Sequence, residues 1–118
     1  MSRLFKATLA IALLTVPTSL AAHTALRSSG PASGSVLEQS PPALTLTFLE
    51  PATLTSLTLV NASGERRLPF APRTKGRTFT SPKPVLVRGR NEVRWRALSQ
   101  DGHVVEGSLI IVIRPPRS

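Results

Sequence analysis

The 118-residue sequence contains no cysteine and no tyrosine, and its single methionine is Met1. The absence of cysteine excludes disulfide bonds, cysteine-ligated zinc, iron–sulfur clusters and thiol catalysis. Histidine is scarce too, because His23 and His103 are the only two. Metal sites and catalytic centres built from several imidazoles are therefore excluded. A chain of this length is expected to form one domain.

The first 22 residues have the layout of an export signal. Arg3 and Lys6 precede an apolar run at residues 7–16, and mostly small residues follow. This arrangement predicts a cleaved signal peptide over residues 1–22 and one domain over residues 23–118. The alternative is an N-terminal anchor or a buried helix, but the apolar run is too short to span a bilayer.

The position of cleavage decides which residue begins the mature chain. Cleavage after Ala22 leaves His23 first, whereas cleavage after Ala21 leaves Ala22 first. The preference for small residues before the cleaved bond slightly favours the second position. The residues alone leave both positions open.

Alternating apolar and polar residues predict an all-β domain. Leu44, Leu46 and Phe48 alternate with threonines, and Val93 and Trp95 alternate with charged residues. No stretch has a sustained helical period, and turn signals recur about every ten residues, which is typical of a sandwich or barrel. The predicted strands cover residues 44–48, 54–60, 65–70, 85–88, 91–99 and 104–113, with turns at 61–64 and 89–91 and a loop-rich middle.

Asp101, Gly102 and His103 lie between the last two predicted strands. Asp-Gly favours a hairpin turn. If the backbone is nearly extended instead, the side chains of Asp101 and His103 point to the same side and bring a carboxylate next to an imidazole.

His23 could bind metal through two of its own nitrogen atoms. If it is the first residue, its α-amine and Nδ1 can close a six-membered chelate ring. With a nitrogen of His103 and an oxygen of Asp101, these atoms form an N3O donor set, which is typical of Cu(II). The alternative is that His23 is a flexible first residue without a role.

Three blocks of the sequence begin at His23, at Leu46 and at Trp95. They resemble the CopC-type periplasmic copper-binding proteins and occur in the order of the family. The resemblance implies a seven-stranded Greek-key β-barrel or immunoglobulin-like sandwich that binds Cu(II). It also implies ligation by the α-amine and Nδ1 of His23, a carboxylate oxygen of Asp101 and His103, and hence cleavage after Ala22. The blocks cover residues 23–37, 46–51 and 95–107.

Glu50 continues the apolar row of Leu44, Leu46 and Phe48. An acid in such a row should lie at the end of the barrel or be paired, because an unpaired buried carboxylate is unfavourable. Some family members carry an acid here close to copper, so Glu50 is predicted as an axial ligand or a neighbour of the ligands. The alternative is a strand-end carboxylate that pairs with an arginine.

Methionine is missing where some family members build a Cu(I) site. The corresponding residues 61–79 contain none, and removal of the signal peptide would also remove Met1. Thioether sulfur favours Cu(I). The sequence therefore predicts a protein that holds Cu(II) only.

Basic residues outnumber acidic ones. Without Arg3 and Lys6, thirteen basic and six acidic residues remain, a net charge of +7. Solvated strand faces explain this excess, and anionic surfaces of the cell envelope are potential partners. Nucleic acid is not expected as a partner, since the sequence has few aromatic residues and no RNA-binding motif.

The sequence thus predicts a periplasmic Cu(II) carrier or buffer that acts in copper resistance and is not an enzyme. The family implies that copper passes to an inner-membrane importer of the CopD type. No apolar segment follows residues 104–113, so the processed chain is not expected to span a membrane. The alternatives are a metal-free β-sandwich interaction module and a small copper oxidase with a histidine brace.

Overall fold

The computed structural model describes residues 25–117, and the seven elements that span residues 26–113 are all β-strands. The prediction of an all-β domain with seven strands is confirmed. His23, both candidate cleavage sites and the predicted signal peptide lie outside the described residues. None of the described residues forms a helix that could cross a membrane. The strands are β1 (Leu26–Gly30), β2 (Ser35–Leu37), β3 (Ala43–Asn61), β4 (Gly64–Arg67), β5 (Gly76–Pro82), β6 (Gly89–Ser99) and β7 (Val104–Ile113).

The seven strands form a curled sheet whose two halves enclose the core. The 19-residue β3 belongs to both halves, because its first part pairs with β1 and β5 and its second part with β4 and β6. The partners change around the exposed Glu50. Beyond β6 the order continues with β7 and β2, and β2 runs parallel to β7.

One apolar cluster fills the space between the halves. Leu46 and Phe48 from the first part of β3 meet Leu59 from its second part and Trp95 from β6. The rings of Phe48 and Trp95 pack edge to face with centroids 5.2 Å apart. The alternation in the sequence predicts these positions because one face of each strand is buried.

A β-bulge at Thr55 keeps both parts of β3 facing the core. Leu54 pairs with Ala97, but Ser56 pairs with Arg96, so Thr55 has no partner of its own. Its Oγ1 donates a hydrogen bond to the carbonyl oxygen of Arg96 at 3.0 Å. The extra residue shifts the alternation by one, so that Leu57 and Leu59 face the core as Leu54 does.

Strands β4 and β5 both return along the same side of β3. Leu59 pairs with Arg66 in β4, and Leu46 pairs with Phe79 in β5. The register of β3 with β5 shifts between Thr47 and Ala52, and residues 69–75 loop out between β4 and β5. We call residues 64–82 the return arm. The predicted return strand at residues 65–70 is too long, since β4 ends at Arg67, and β5 lies where the sequence predicts a loop.

Asn91 is fully buried and hydrogen-bonded on every side. Its Nδ2 donates to the carbonyl oxygens of Val87, Gly89 and Ile111 at 2.9–3.2 Å, and its Oδ1 accepts from the N–H of Val87. These bonds hold Val87 against the sheet without a strand, and the hydroxyl of Ser40 does the same for Leu86. The predicted strand at 85–88 and turn at 89–91 are therefore wrong, because two side chains supply the partners that a strand would have needed.

Candidate metal centre

The loop between β6 and β7 is a tight hairpin turn. The N–H of Ser99 donates to the carbonyl oxygen of His103 at 2.8 Å, and the N–H of Gly102 donates to that of Ser99 at 3.0 Å. Gly102 has a φ of 88°, a left-handed conformation that glycine adopts at little cost. The hairpin turn predicted from Asp-Gly is confirmed.

This turn brings the carboxylate of Asp101 to the imidazole of His103. Nδ1 of His103 lies 3.2 Å from Oδ2 of Asp101. Both side chains are largely exposed, at 70% for Asp101 and 79% for His103. The two groups therefore converge as predicted, but through the turn rather than through an extended segment, and both face solvent.

Ser99 fixes the geometry of the pair, and the sequence prediction gave it no role. Its hydroxyl donates to Oδ1 of Asp101 and accepts the N–H of His103 at 3.1 Å. A serine two residues before an Asp-Gly turn is the pattern that could have revealed this contact.

The carboxyl of Asp101 has a lowered pKa. The hydrogen bond from Ser99 is the main cause, and the electrostatic interaction with His103 also lowers this pKa. Desolvation has an opposing but smaller effect. Asp101 is therefore ionised at neutral pH, which is the state in which a carboxylate binds metal.

A cleft of about 620 Å³ opens beside the turn. It is lined by Asp101 and His103 from the turn, by Glu50 from β3 and by Ala25, the first described residue. The three predicted side chains that fall within the described residues thus share one cleft. His23, the fourth, precedes Ala25 by two positions and lies outside the described residues.

Glu50 lies in this cleft but apart from the pair. In residues 25–117 no third His, Asp or Glu joins Asp101 and His103 in a group that could hold a metal ion. Nor does any Lys or Arg of these residues form an ion pair with Glu50. The described part of the chain therefore contributes two close donors.

Exposed apolar side chains surround the donors. Leu98 and Val104 pair across the hairpin and are 40% and 58% exposed, and Leu49 next to Glu50 is 47% exposed. Among the described residues, none that line the cleft is a lysine or arginine. The cleft is therefore a locally acidic and apolar area on a basic protein.

Known proteins share this architecture. The CopC domain model matches residues 26–113. CopC from Methylosinus trichosporium OB3b aligns with a TM-score of 0.66 at 25% identity, over 79% of this chain and 95% of that chain. PcoC, a methionine-rich copper resistance protein from Escherichia coli, aligns with a TM-score of 0.55 at 26% identity, over 75% of this chain and 96% of that chain.

The search of curated proteins returns no sequence match. The domain model nevertheless spans most of the chain, including all seven strands and the turn with Asp101 and His103. The chain belongs to the CopC family.

Proposed function

We propose that the chain is an exported periplasmic protein that binds Cu(II) as a carrier or buffer in copper resistance. Proteins of the CopC family are periplasmic copper-binding resistance proteins and not enzymes. The observation that carries the proposal is the contact between Asp101 and His103 in the cleft where the described chain begins.

The ligands of the proposed site come from two places. Asp101 and His103 supply an oxygen and a nitrogen, and His23 supplies its α-amine and Nδ1 once residues 1–22 are removed. The position of Ala25 in the cleft supports this set, because it is two residues from His23. Nitrogen and oxygen donors without sulfur favour Cu(II) over Cu(I).

The exposure of the site supports transfer of copper to a partner. Two largely exposed donors can be reached by incoming ligands without unfolding of the domain. The apolar side chains of Leu49, Leu98 and Val104 provide a surface on which a partner can exclude water. An inner-membrane importer of the CopD type is the partner we propose.

Copper titration of the chain that begins at His23 tests the ligand set. We expect His103→Ala to weaken Cu(II) binding by more than about a hundredfold and Asp101→Asn by about ten- to a hundredfold, since each removes a donor. Glu50→Gln should have a smaller effect. Glu106→Gln is the matched control, because this exposed acid of β7 is paired with Arg96 and does not line the cleft.

Each result distinguishes one function from another. Parent-like affinity in both His103→Ala and Asp101→Asn would refute the site, because the mature sequence has no other imidazole–carboxylate pair of this kind. No copper binding by the parent would favour a metal-free interaction module. Peroxide-dependent substrate oxidation would favour the oxidase.

The N-terminus is tested separately. Mass spectrometry of the exported protein should give a chain that starts at His23. A chain that keeps Ala22 separates the α-amine from the imidazole, so it should bind Cu(II) much more weakly. Equal affinity of the two chains would remove the α-amine of His23 from the ligand set.

Competition under reducing conditions tests the oxidation state. The nitrogen and oxygen donors should hold Cu(II) and release copper when it is reduced to Cu(I). Equal retention of both states would contradict the donor set.

A further inference from the structure

The return arm and the residue that follows it carry an unusual concentration of positive charge. Residues 64–83 contain six of the thirteen cationic residues of the described chain and only one acid, Glu65. All six cationic residues are exposed. We call them the basic arm: Arg66, Arg67, Arg73, Lys75, Arg77 and Lys83.

Within residues 25–117, no acidic side chain neutralises this charge. The two Arg–Glu ion pairs within residues 25–117 involve Arg94 and Arg96 of β6, and no carboxylate of these residues forms an ion pair with the basic arm. Arg66 donates to the carbonyl oxygen of Val85 at 3.2 Å, and the guanidinium of Arg73 lies 4.4 Å above the ring of Phe70. Both contacts leave the positive charge available to a partner.

The basic arm runs past the candidate metal cleft. Gly76 pairs with Ala52, which lines the cleft, and Arg77 lies opposite the segment of β3 that contains Glu50. A surface that binds the arm would therefore lie close to the cleft.

We propose that the basic arm docks this protein on the anionic headgroups of a phospholipid bilayer. Each Lys or Arg near such a surface is attracted to it, and screening allows this attraction only over short distances. Val85, which is 63% exposed next to Arg66, adds an apolar contact suited to the lipid interface. The proposed export decides which bilayer the protein meets, but the docking itself does not depend on copper.

Two alternative roles of the basic arm lead to different results. In the first alternative, the charged residues of this strand edge have the sole role of preventing aggregation, and the protein does not bind vesicles. Single-stranded nucleic acid is less suitable as a partner, because Phe70, Phe79 and Trp95 are buried and cannot stack on bases. Duplex DNA binds cationic residues through its phosphates, so a direct comparison with vesicles distinguishes it from lipid.

Vesicle binding by the copper-free chain that begins at His23 tests the proposal. The chain should bind vesicles of phosphatidylglycerol and phosphatidylethanolamine but not of phosphatidylcholine, and salt should release it. Arg67→Gln, Lys75→Gln and Arg77→Gln combined should lower the partition coefficient about a hundredfold, or about fivefold for each lost charge.

A second triple variant is the matched control. Arg88→Gln, Arg114→Gln and Arg117→Gln remove the same charge from a separate groove at the end of β7. This variant should lose less than about tenfold, since its residues are not part of the docking surface. Arg67→Lys with Arg77→Lys keeps the charge and should bind like the parent, which separates loss of charge from damage to the arm.

Three outcomes would overturn the proposal. They are no binding of the parent to phosphatidylglycerol vesicles, an equal loss in both triple variants, and equally tight binding to duplex DNA at the same salt concentration. None of them concerns the copper site, because the protein carries no metal in these measurements.

Discussion

Gly107 makes room for the only tryptophan of the chain. It pairs with Trp95 across β6 and β7, and a Cβ at Gly107 would lie 2.7 Å from Cζ2 of the indole. This contact gives a physical reason for a glycine twelve residues after a tryptophan.

We expect Gly107→Ala to lower the free energy of unfolding by about 1–3 kcal/mol, because the buried indole must shift. Gly76→Ala is the control, since a Cβ there meets only Cγ of Pro72 at an ordinary 3.8 Å. Urea denaturation of both variants measures the difference. Equal stability of the two would show that the core adjusts around Trp95.

The side chain of Asn91 supplies hydrogen-bond partners for backbone groups of Val87 and Ile111. We expect Asn91→Leu to lower the free energy of unfolding by at least about 2 kcal/mol, because the N–H of Val87 and the carbonyl oxygen of Ile111 lose buried partners. Asn61→Ala, which removes one partner of Asn91, should cost less. A smaller loss in Asn91→Leu than in Asn61→Ala would contradict this role.

The hydrogen bond from Ser99 lowers the pKa of Asp101. Because folding lowers the pKa of this carboxyl, the ionised carboxylate stabilises the folded state above the pKa of the unfolded chain. This stabilisation is lost as pH falls through the folded pKa. Ser99→Ala should raise the pKa of Asp101, which an NMR titration of the copper-free protein measures. On acidification, this variant should lose Cu(II) at the same pH as the parent or at a higher pH, because Asp101 must be deprotonated to bind the metal.

At the scale of strands, the sequence pattern identifies elements that bury one face. The alternation at residues 44–48, 54–60, 91–99 and 104–113 corresponds to β3, β6 and β7. The pattern does not join the first two segments into one strand, because Thr55 changes the phase and Pro51 interrupts the run. It also misses β5, where only Phe79 and Ser81 are buried among exposed polar residues.

The sequence predicts only the part of the candidate site that lies within one short segment. Asp101 and His103 are two residues apart, so local geometry alone brings them together. Glu50 comes from a distant strand, and its place in the same cleft depends on the pairing of β3 with β6. The sequence suggests this proximity only through the family resemblance.

The bulge in β3 predicts a difference between two single-residue deletions. Deleting Thr55 should move Leu57 and Leu59 to the outer face, because a shift by one residue reverses the alternation. Deleting Thr74 from the exposed loop of the return arm should be tolerated. Circular dichroism and thermal unfolding of both proteins test this, and a folded protein without Thr55 would contradict it.

For the whole molecule, copper binding and stability are linked. A ligand that binds only the folded state raises the free energy of unfolding by about 2.7 kcal/mol when its concentration is a hundred times its dissociation constant. Cu(II) should therefore raise the Tm of the parent but barely that of His103→Ala, while both should unfold alike without metal, since His103 is exposed. An equal copper-induced rise in both proteins would place the metal elsewhere.

The position of Trp95 gives the protein its own optical signal. The indole is only 3% exposed and lies against Phe48, a residue that also lines the candidate cleft. All indole emission of the chain comes from this place, because no other tryptophan exists. Occupation of the cleft by a paramagnetic ion would quench this emission in the folded chain, and unfolding would shift it to longer wavelength, so one fluorophore distinguishes the two events without a label.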